Sequence, residues 1–338
     1  MMSSRYIAFI TVSMLLLFLF QSPSSYADRE VKETEEKAFK MEPGGTIKIT
    51  ADEGYVRISS WDRSEVEIRL TKYARGKNRR EAGRLLEQIE VDMEQTGNRL
   101  IIRELETDDE SYSLIDLFDP NTWNRMGGRS TWVNFDVTVP RETNLDIITD
   151  EGDIIISSAD GKVEVDTDEG NIELYEIRSH EISVITDEGD MLLEHIRAPA
   201  SASSSRLLVD TDEGNTELAD VEIERVKIES DEGNVTADML RCERFDFYSD
   251  EGSIEADLAI LPGGDYRCRT DEGEIILFLP RDASFSITAR SQEGEIRSDF
   301  PIEVKEIGDG ERIDDVVGDG GADIYLFVDE GRIRLREK

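Results

Sequence analysis

The chain has 338 residues and is poor in cysteine, in histidine and in positive charge. It contains 39 lysines and arginines against 77 aspartates and glutamates, so its formal net charge is −38. Nonspecific nucleic-acid binding needs a basic surface, and electrostatic docking on anionic lipid needs one as well. The charge therefore excludes the first and argues against the second, and we expect no nucleic-acid partner.

Side chains that commonly carry catalysis are also scarce. His180 and His195 are the only histidines, and we expect both at the surface rather than in the role of a general base. The motifs of serine hydrolases, phosphate-binding loops, Cys-x-x-Cys redox sites and His-Glu-x-x-His metalloproteases are missing. Cys242 and Cys268 are the only cysteines, and their spacing leaves open whether they pair. We predict no enzyme, no catalytic residue, no cofactor and no metal-binding residue.

Long apolar runs are absent after residue 27. Residues 1–27 have the features of a secretory signal peptide: Arg5 at the start, the apolar run Tyr6–Phe20, and Ser25-Tyr26-Ala27 at the end. An uncleaved membrane anchor is the alternative, but the run is short for a span of about 20 residues. We expect cleavage after Ala27, no remaining membrane span, and an exported protein that is periplasmic or extracellular at the cell surface.

One short turn sequence recurs along the chain. Asp-Glu-Gly occurs nine times, and a tenth copy reads Gln292-Glu293-Gly294. Recurrence at a nearly fixed interval indicates a repeat architecture. We predict that the ten glycines are structural turn residues: Gly54, Gly152, Gly170, Gly189, Gly214, Gly233, Gly252, Gly273, Gly294 and Gly331.

The residues on both sides of each turn alternate between apolar and polar. This period of two predicts a strand, a turn and a second strand in each repeat, with one side buried. Val226, Ile228 and Ser230 illustrate the predicted inward positions before a turn, and Lys227 an outward one. After the turns, the predicted inward residues include Ile154, Ile172, Leu192, Val235, Ile254, Ile275, Ile296 and Ile333.

Two all-β architectures accommodate this pattern. Strands that pair within a repeat would form hairpins, which favour Asn-Gly or Asp-Gly at the turn centre, whereas here the centre is Glu-Gly. Equal side chains at equal positions favour a parallel β-solenoid, in which each coil lies on the preceding one. We predict a β-helix-like solenoid of about ten repeats. Its glycines should have the positive φ of a type II turn, and its turn aspartates should accept backbone N–H groups.

The N-terminal part departs from the repeat. We predict a flexible charged leader at 28–40, followed by the start of the solenoid at 41–140. This part contains one amphipathic helix at 78–90, expected to cover an open end of the solenoid, and an irregular loop at 106–130. The loop is interpreted as a cover over the solenoid end or as a binding loop. Residues 141–338 form the repeat solenoid.

Three segments resemble the bacterial putative-adhesin family known as domain of unknown function 4097. They are Gly44–Ile68 with its Gly54 turn, the central stacked turns, and Leu279–Leu335 with its Gly294 and Gly331 turns. The resemblance covers most of 41–335 and implies a β-solenoid of the envelope or cell surface. It supplies no catalytic residue. The Asp-Glu-Gly turns depart from the Ser/Asn-Gly turns expected in that family.

The favoured function is a non-enzymatic adhesin-like or scaffold protein that binds an unknown protein or glycan of the envelope. A calcium-binding module on the acidic turn edge is one alternative, and saturable calcium binding would favour it. A polysaccharide-acting enzyme is another, and one irregular coil with a converging acid and base would favour that. We expect the acidic edge to bind divalent cations weakly at most, with carboxylate pKa values raised by mutual repulsion. The sequence leaves the partner and the oligomeric state open.

Overall fold

The computed structural model describes residues 30–105 and 130–338. The predicted signal peptide at 1–27 and residues 106–129 of the predicted loop lie outside the described residues. The described part contains 25 strands and one helix.

The strands before the central repeats, with the helix, are β1 (Glu30–Lys40), β2 (Thr46–Glu53), β3 (Val56–Trp61), β4 (Glu65–Arg75), α1 (Arg79–Leu86), β5 (Glu90–Thr96), β6 (Arg99–Leu105) and β7 (Ser130–Pro140). The central repeats contain β8 (Asn144–Glu151), β9 (Ile154–Ser157), β10 (Val163–Glu169), β11 (Ile172–Tyr175), β12 (Glu181–Glu188), β13 (Met191–Arg197), β14 (Arg206–Glu213), β15 (Thr216–Glu222), β16 (Arg225–Glu232), β17 (Val235–Arg241), β18 (Arg244–Glu251) and β19 (Ile254–Ala259). The last part contains β20 (Asp265–Leu279), β21 (Phe285–Glu293), β22 (Ile296–Ser298), β23 (Lys305–Ile307), β24 (Gly310–Val317) and β25 (Asp323–Glu337).

Each central strand pairs in parallel with its equivalents in the neighbouring coils. β10 lies between β8 and β12, and β11 lies between β9 and β13, with equal positions opposite one another. The strands before the turns form a first layer and the strands after them a second layer, while β20 and β25 run through both. The fold is therefore all-β and solenoid-like, with mostly parallel strands, and the hairpin alternative is wrong for the central repeats.

The coils are not stacked in chain order at either end. The coil formed by β2 and β3 has two neighbours. The coil of β6 and β7 lies on one side of it, and the coil of β8 and β9 lies on the other. The last strand of the chain, β25, lies between β20 and the strands β21 and β22. Antiparallel strands complete the ends: β5 on β6 and β4 on β7 at one end, and β24 on β21 at the other.

The two layers enclose one continuous apolar core. The predicted inward residues before the turns are buried, with Val226 1% and Ile228 0% exposed. One inward assignment is wrong, because Leu192 points outward while Met191 takes the inward position opposite Ile172. Thr216 holds the same position after Gly214 and is also buried.

The leader predicted to be flexible is instead ordered over residues 30–40. β1 pairs antiparallel with β4 along its whole length. The pairing brings acidic residues of the leader onto basic residues of β4, as in the ion pairs Glu35–Lys72 (3.0 Å) and Glu36–Arg69 (3.0 Å). Opposite charges across neighbouring strands stabilise a pairing that the hydrophobic pattern alone does not indicate.

Helix α1 lies inside the predicted range 78–90 and is shorter. Asn78 caps its start, because the side-chain oxygen accepts the backbone N–H groups of Arg80 and Glu81. The helix packs against β1 and β4, with Ala82 buried. No helix in residues 30–105 or 130–338 is long and apolar enough to cross a membrane.

Cys242 and Cys268 are buried free thiols. Burial raises the pKa of Cys242 to about 12 and the pKa of Cys268 as well. Both thiols therefore stay protonated at neutral pH, which makes them poor nucleophiles.

Candidate functional site: the acidic turn edge and a basic groove

All ten predicted turn glycines lie in one column along the edge between the two layers. A Cβ built on each of them would lie within 3.0 Å of a carbonyl oxygen of the adjacent coil. For Gly233 that oxygen belongs to Gly214, and for Gly54 it belongs to Val133. Real Cβ atoms do not approach this closely, so the stacking itself requires glycine at this position.

The backbone conformation of these turns differs from the predicted type II turn. Eight of the ten glycines have positive φ, from +116° at Gly54 to +152° at Gly189, which is more extended than the φ of about +80° in a type II turn. Gly152 and Gly252 are not among the positive-φ glycines. Close approach of the neighbouring coil is therefore the requirement that all ten share.

The residue after each central glycine forms a hydrogen-bonded ladder that the sequence analysis missed. Asn171 donates its backbone N–H and its side-chain N–H to Asp153 Oδ1, at 3.0 and 3.1 Å. Asn215 donates in the same way to Asp190 Oδ1, at 2.8 and 3.1 Å. Asn234 continues the ladder onto Asn215 Oδ1. Carboxylate and amide side chains along this column thus bind successive coils together.

The turn aspartates do not show the predicted role. The backbone N–H of a turn glycine donates to the glutamate carbonyl of the next coil, as from Gly170 to Glu188 at 2.9 Å. In the described residues, Asp250 and Asp271 accept hydrogen bonds from Tyr248 and Arg269 side chains instead. The aspartates are free to face solvent because the stacked backbone already satisfies the turn.

Burial and neighbouring carboxylates raise several pKa values on this edge. For Glu53 the larger cause is burial, followed by the charges of Glu151 and Asp52. Burial also leads at Asp150, with Asp52 and Asp168 adding to it. The predicted direction is confirmed, but desolvation contributes more than repulsion. Among residues 30–105 and 130–338 no group of three or more His, Cys, Asp or Glu side chains is arranged to hold a metal ion.

Glu104 has the most perturbed carboxyl near this edge. Its Oε2 atom accepts the backbone N–H of Asp52 at 3.2 Å. Burial raises the pKa of Glu104 to about 7, and the charges of Asp52 and Glu53 raise it further against the lowering effect of that hydrogen bond. The folded state therefore holds a proton that the unfolded state releases at lower pH. This contribution to stability is complete below the unfolded pKa and is lost as pH rises towards 7.

We expect Glu104→Gln to raise the melting temperature at pH 8 and to leave it nearly unchanged at pH 4. Glutamine removes the buried charge and keeps the oxygen that accepts from Asp52. Thermal unfolding at the two pH values measures the difference. Glu142→Gln, on an exposed turn, removes one charge without the burial and should change little at either pH. An equal effect of Glu104→Gln at both pH values would contradict the assignment.

Both histidines lie at the surface of the part of the chain that the structure describes. His195 lies half-exposed on the second layer, and its Nδ1 atom is 2.8 Å from Asp220 Oδ2. Arg197 also contacts Asp220, and Arg197 and His195 hold the pKa of this carboxyl below its ordinary value. His180 precedes β12 and is exposed. The exposure of His180 and His195 agrees with the prediction that both lie at the surface.

The outer side of the first layer carries a groove with an unusual concentration of positive charge. Arg206, Arg225 and Arg244 hold paired positions on β14, β16 and β18, so they stand in one column at about 4.8 Å intervals. Together with Lys227 and Leu208 they line a depression of about 440 Å³. We call it the basic groove. Its lining contains four cationic side chains and three acidic ones, which belong to Glu164, Glu181 and Asp246.

The cations of the basic groove are unequally neutralised. Arg206 pairs with Glu181 at 2.6 Å and Arg225 with Glu224 at 3.0 Å. Arg206 and Lys162 hold the pKa of Glu181 below its ordinary value. Arg244 is exposed and has no ion-pair partner in the part of the chain that the structure describes. An anion entering the groove would meet this free guanidinium.

Several solved structures match most of this chain in coverage and share little sequence with it. A putative cell adhesion protein from Clostridium sporogenes is 12% identical, covering 90% of this chain and 100% of that one, with a TM-score of 0.26. A putative adhesin from Bacteroides fragilis is 13% identical, with coverage of 90% and 97% and a TM-score of 0.35. A putative lipid binding protein from Parabacteroides distasonis is 11% identical, with coverage of 89% and 96% and a TM-score of 0.38. Similarity at this level carries no argument about function.

No curated protein matches the chain. The family model described as Toastrack DUF4097 matches residues 24–336, which is almost the whole chain. The match agrees with the resemblance drawn from the Gly54, Gly294 and Gly331 turns. The chain belongs to the Toastrack DUF4097 family.

Proposed function

We propose that this protein is an exported, non-enzymatic scaffold of the cell envelope that binds an acidic protein or glycan in an adhesin-like manner. The observation that carries the proposal is the basic groove. Arg206, Arg225, Lys227 and Arg244 converge there in a protein whose formal net charge is −38. A rigid parallel stack holds the three arginines in a straight column, so they can contact successive charges of an extended ligand.

The overall negative charge does not prevent such binding at physiological ionic strength. Charges more than about 8 Å apart are then largely screened, whereas contacts inside the groove are not. At low salt the repulsion from the acidic side chains outside the groove extends further. It then disfavours anions that do not fit the groove. This combination favours a ligand that fits the column over one that is merely anionic.

Retention on immobilised polygalacturonate and on polyglutamate at about 0.15 M salt tests the groove. Wild-type protein should be retained by at least one of the two polymers. The double variant Arg225→Glu/Arg244→Glu should lose that retention. Arg297→Glu is the matched control, because Arg297 is an exposed arginine on the second layer that is paired with Glu295 at 2.7 Å. Equal loss in the control, or no retention of the wild type, would contradict the proposal.

Export is tested separately by cell fractionation and by the intact mass of the recovered protein. The expected mature chain begins at Asp28, because Ser25-Tyr26-Ala27 precedes the predicted cleavage. A protein that still begins at Met1 would contradict signal removal and leave the groove proposal unaffected.

A further inference from the structure

A second depression lies on the same outer side, at the C-terminal end of the first layer. Its floor is β21, between β25 on one side and antiparallel β24 on the other. The depression has a volume of about 280 Å³ and is lined mainly by Ser286, Thr288, Asp314, Val316, Asp323 and Tyr325. We call it the Tyr325 trough.

The floor of the trough is low because the outward side chains of β21 are small. Larger side chains of β24 and β25 lie on its two sides. Ser286 and Thr288 point outward from β21, and neither hydroxyl has a hydrogen-bond partner in the described residues. The register sets Tyr325 and Asp314 on the two sides of Thr288. These two walls are two strand spacings apart, about 9.6 Å. Asp323 and Val316 face one another across Ser286 in the same way.

Tyr325 presents one open ring face to the trough. The guanidinium carbon of Arg267, on the neighbouring strand β20, lies 5.5 Å from the ring centroid and covers the other face. The residue opposite on β21 is Thr288, which is too small to cover the ring. Tyr325 is 43% exposed and Val316 is 55% exposed, so two apolar surfaces remain uncovered.

The polar groups of the trough are hydrogen-bond acceptors with capacity to spare. Asp323 has no side-chain partner in the part of the chain that the structure describes. Asp314 is bound by Arg312 through one oxygen at 2.9 Å, so its other oxygen is available. Asp315 is different, because it accepts the backbone N–H groups of Glu303 and Val316, which hold its pKa below the ordinary value. The lining of the trough thus contains three carboxyl side chains and no cationic side chain.

We propose that the Tyr325 trough binds one ring of a neutral glycan. A pyranose has an apolar C–H face that packs on an aromatic ring and hydroxyl groups that donate to carboxylates. Tyr325 and Val316 supply the apolar contacts, and Asp314 and Asp323 supply the acceptors. The three carboxylates disfavour acidic sugars by like-charge repulsion. A small number of placed polar groups beside an apolar surface is the usual composition of such sites.

The proposal is independent of the basic groove. That groove is lined from β10 to β18, whereas the trough is lined from β21, β24 and β25. The groove favours an anion and the trough a neutral ligand, so each can fail without the other.

Calorimetric titration of the full mature chain tests the trough with four neutral probes: cellohexaose, chitohexaose, dextran and mannan. We expect saturable binding of at least one, weakened roughly tenfold or more by Tyr325→Ala, because a lost ring contact of this kind is large enough to give that factor. Tyr325→Phe keeps the ring and should keep binding. Tyr248→Ala, at an exposed tyrosine on the same side, is the matched control and should leave affinity unchanged.

Two further variants test glycan binding at the trough even if Tyr325→Ala does not fold. Val316→Asp and Asp323→Asn alter exposed side chains, and each should weaken binding roughly tenfold. Arg244→Glu, in the basic groove, should have no effect on binding of the neutral glycan. Binding of none of the four probes, equal binding of polygalacturonate that persists in Arg225→Glu/Arg244→Glu, or insensitivity to all three trough changes would overturn the proposal.

Discussion

Gly233→Ala is expected to destabilise the protein by roughly 3 kcal/mol or more. Two effects combine at this position. The backbone has φ of +134°, a conformation that is strained for alanine, and the new Cβ would collide with the Gly214 carbonyl oxygen of the adjacent coil. That oxygen belongs to a stacked backbone with coils on both sides, so it cannot move away freely. Chemical denaturation with a two-state analysis measures the loss.

Three other glycines separate the two effects. Gly252 is equally crowded, by the Gly233 carbonyl, but lacks the positive φ, so Gly252→Ala tests crowding alone. Gly263 has φ of +79° and open space around it, so Gly263→Ala tests strain alone, about 1–2 kcal/mol. Gly83 lies in α1 with nothing nearby, and Gly83→Ala should be neutral or stabilising. A harmless Gly252→Ala would refute the argument that stacking requires glycine.

Ile228→Ala should cost on the order of 2–5 kcal/mol, the usual range for truncating a buried isoleucine. Ile228 is 0% exposed and lies between Val209 and Phe247 of the adjacent coils. Parallel strands fix these neighbours about 4.8 Å apart, so they cannot close the cavity without breaking the register. The free energy of unfolding from denaturant titration measures the cost.

Lys227→Ala is the matched control for this truncation. Lys227 is the preceding residue on the same strand, points outward, and pairs with Glu229 at the surface. Exposed ion pairs contribute little, so the change should stay below about 0.5 kcal/mol. Similar costs for Ile228→Ala and Lys227→Ala would contradict the assignment of inward and outward positions.

The two proposed binding surfaces were only partly visible in the sequence. Arg206, Arg225 and Arg244 each lie at the same position before a turn glycine, and this regularity could have indicated a basic column. The excess of acidic residues obscured it, because net charge describes the whole surface and hides a local patch. The Tyr325 trough gives no signal of this kind. It depends on β21, β24 and β25 meeting in an order that differs from their order in the chain.

The amino-acid sequence by itself determined the strand-turn-strand repeat, the inward residues and the ten turn glycines. These features follow from local rules: alternation of side chains along a strand, and the unique backbone freedom and small size of glycine. Only the tertiary structure decided which coil lies on which. It placed β25 between β20 and β21 and ordered the leader on β4. The physical reason is that nearly identical coils offer nearly equal pairings. Local patterns therefore do not select the order of the coils, and the place of the leader on β4 is stabilised by contacts between different strands, such as Glu36 with Arg69.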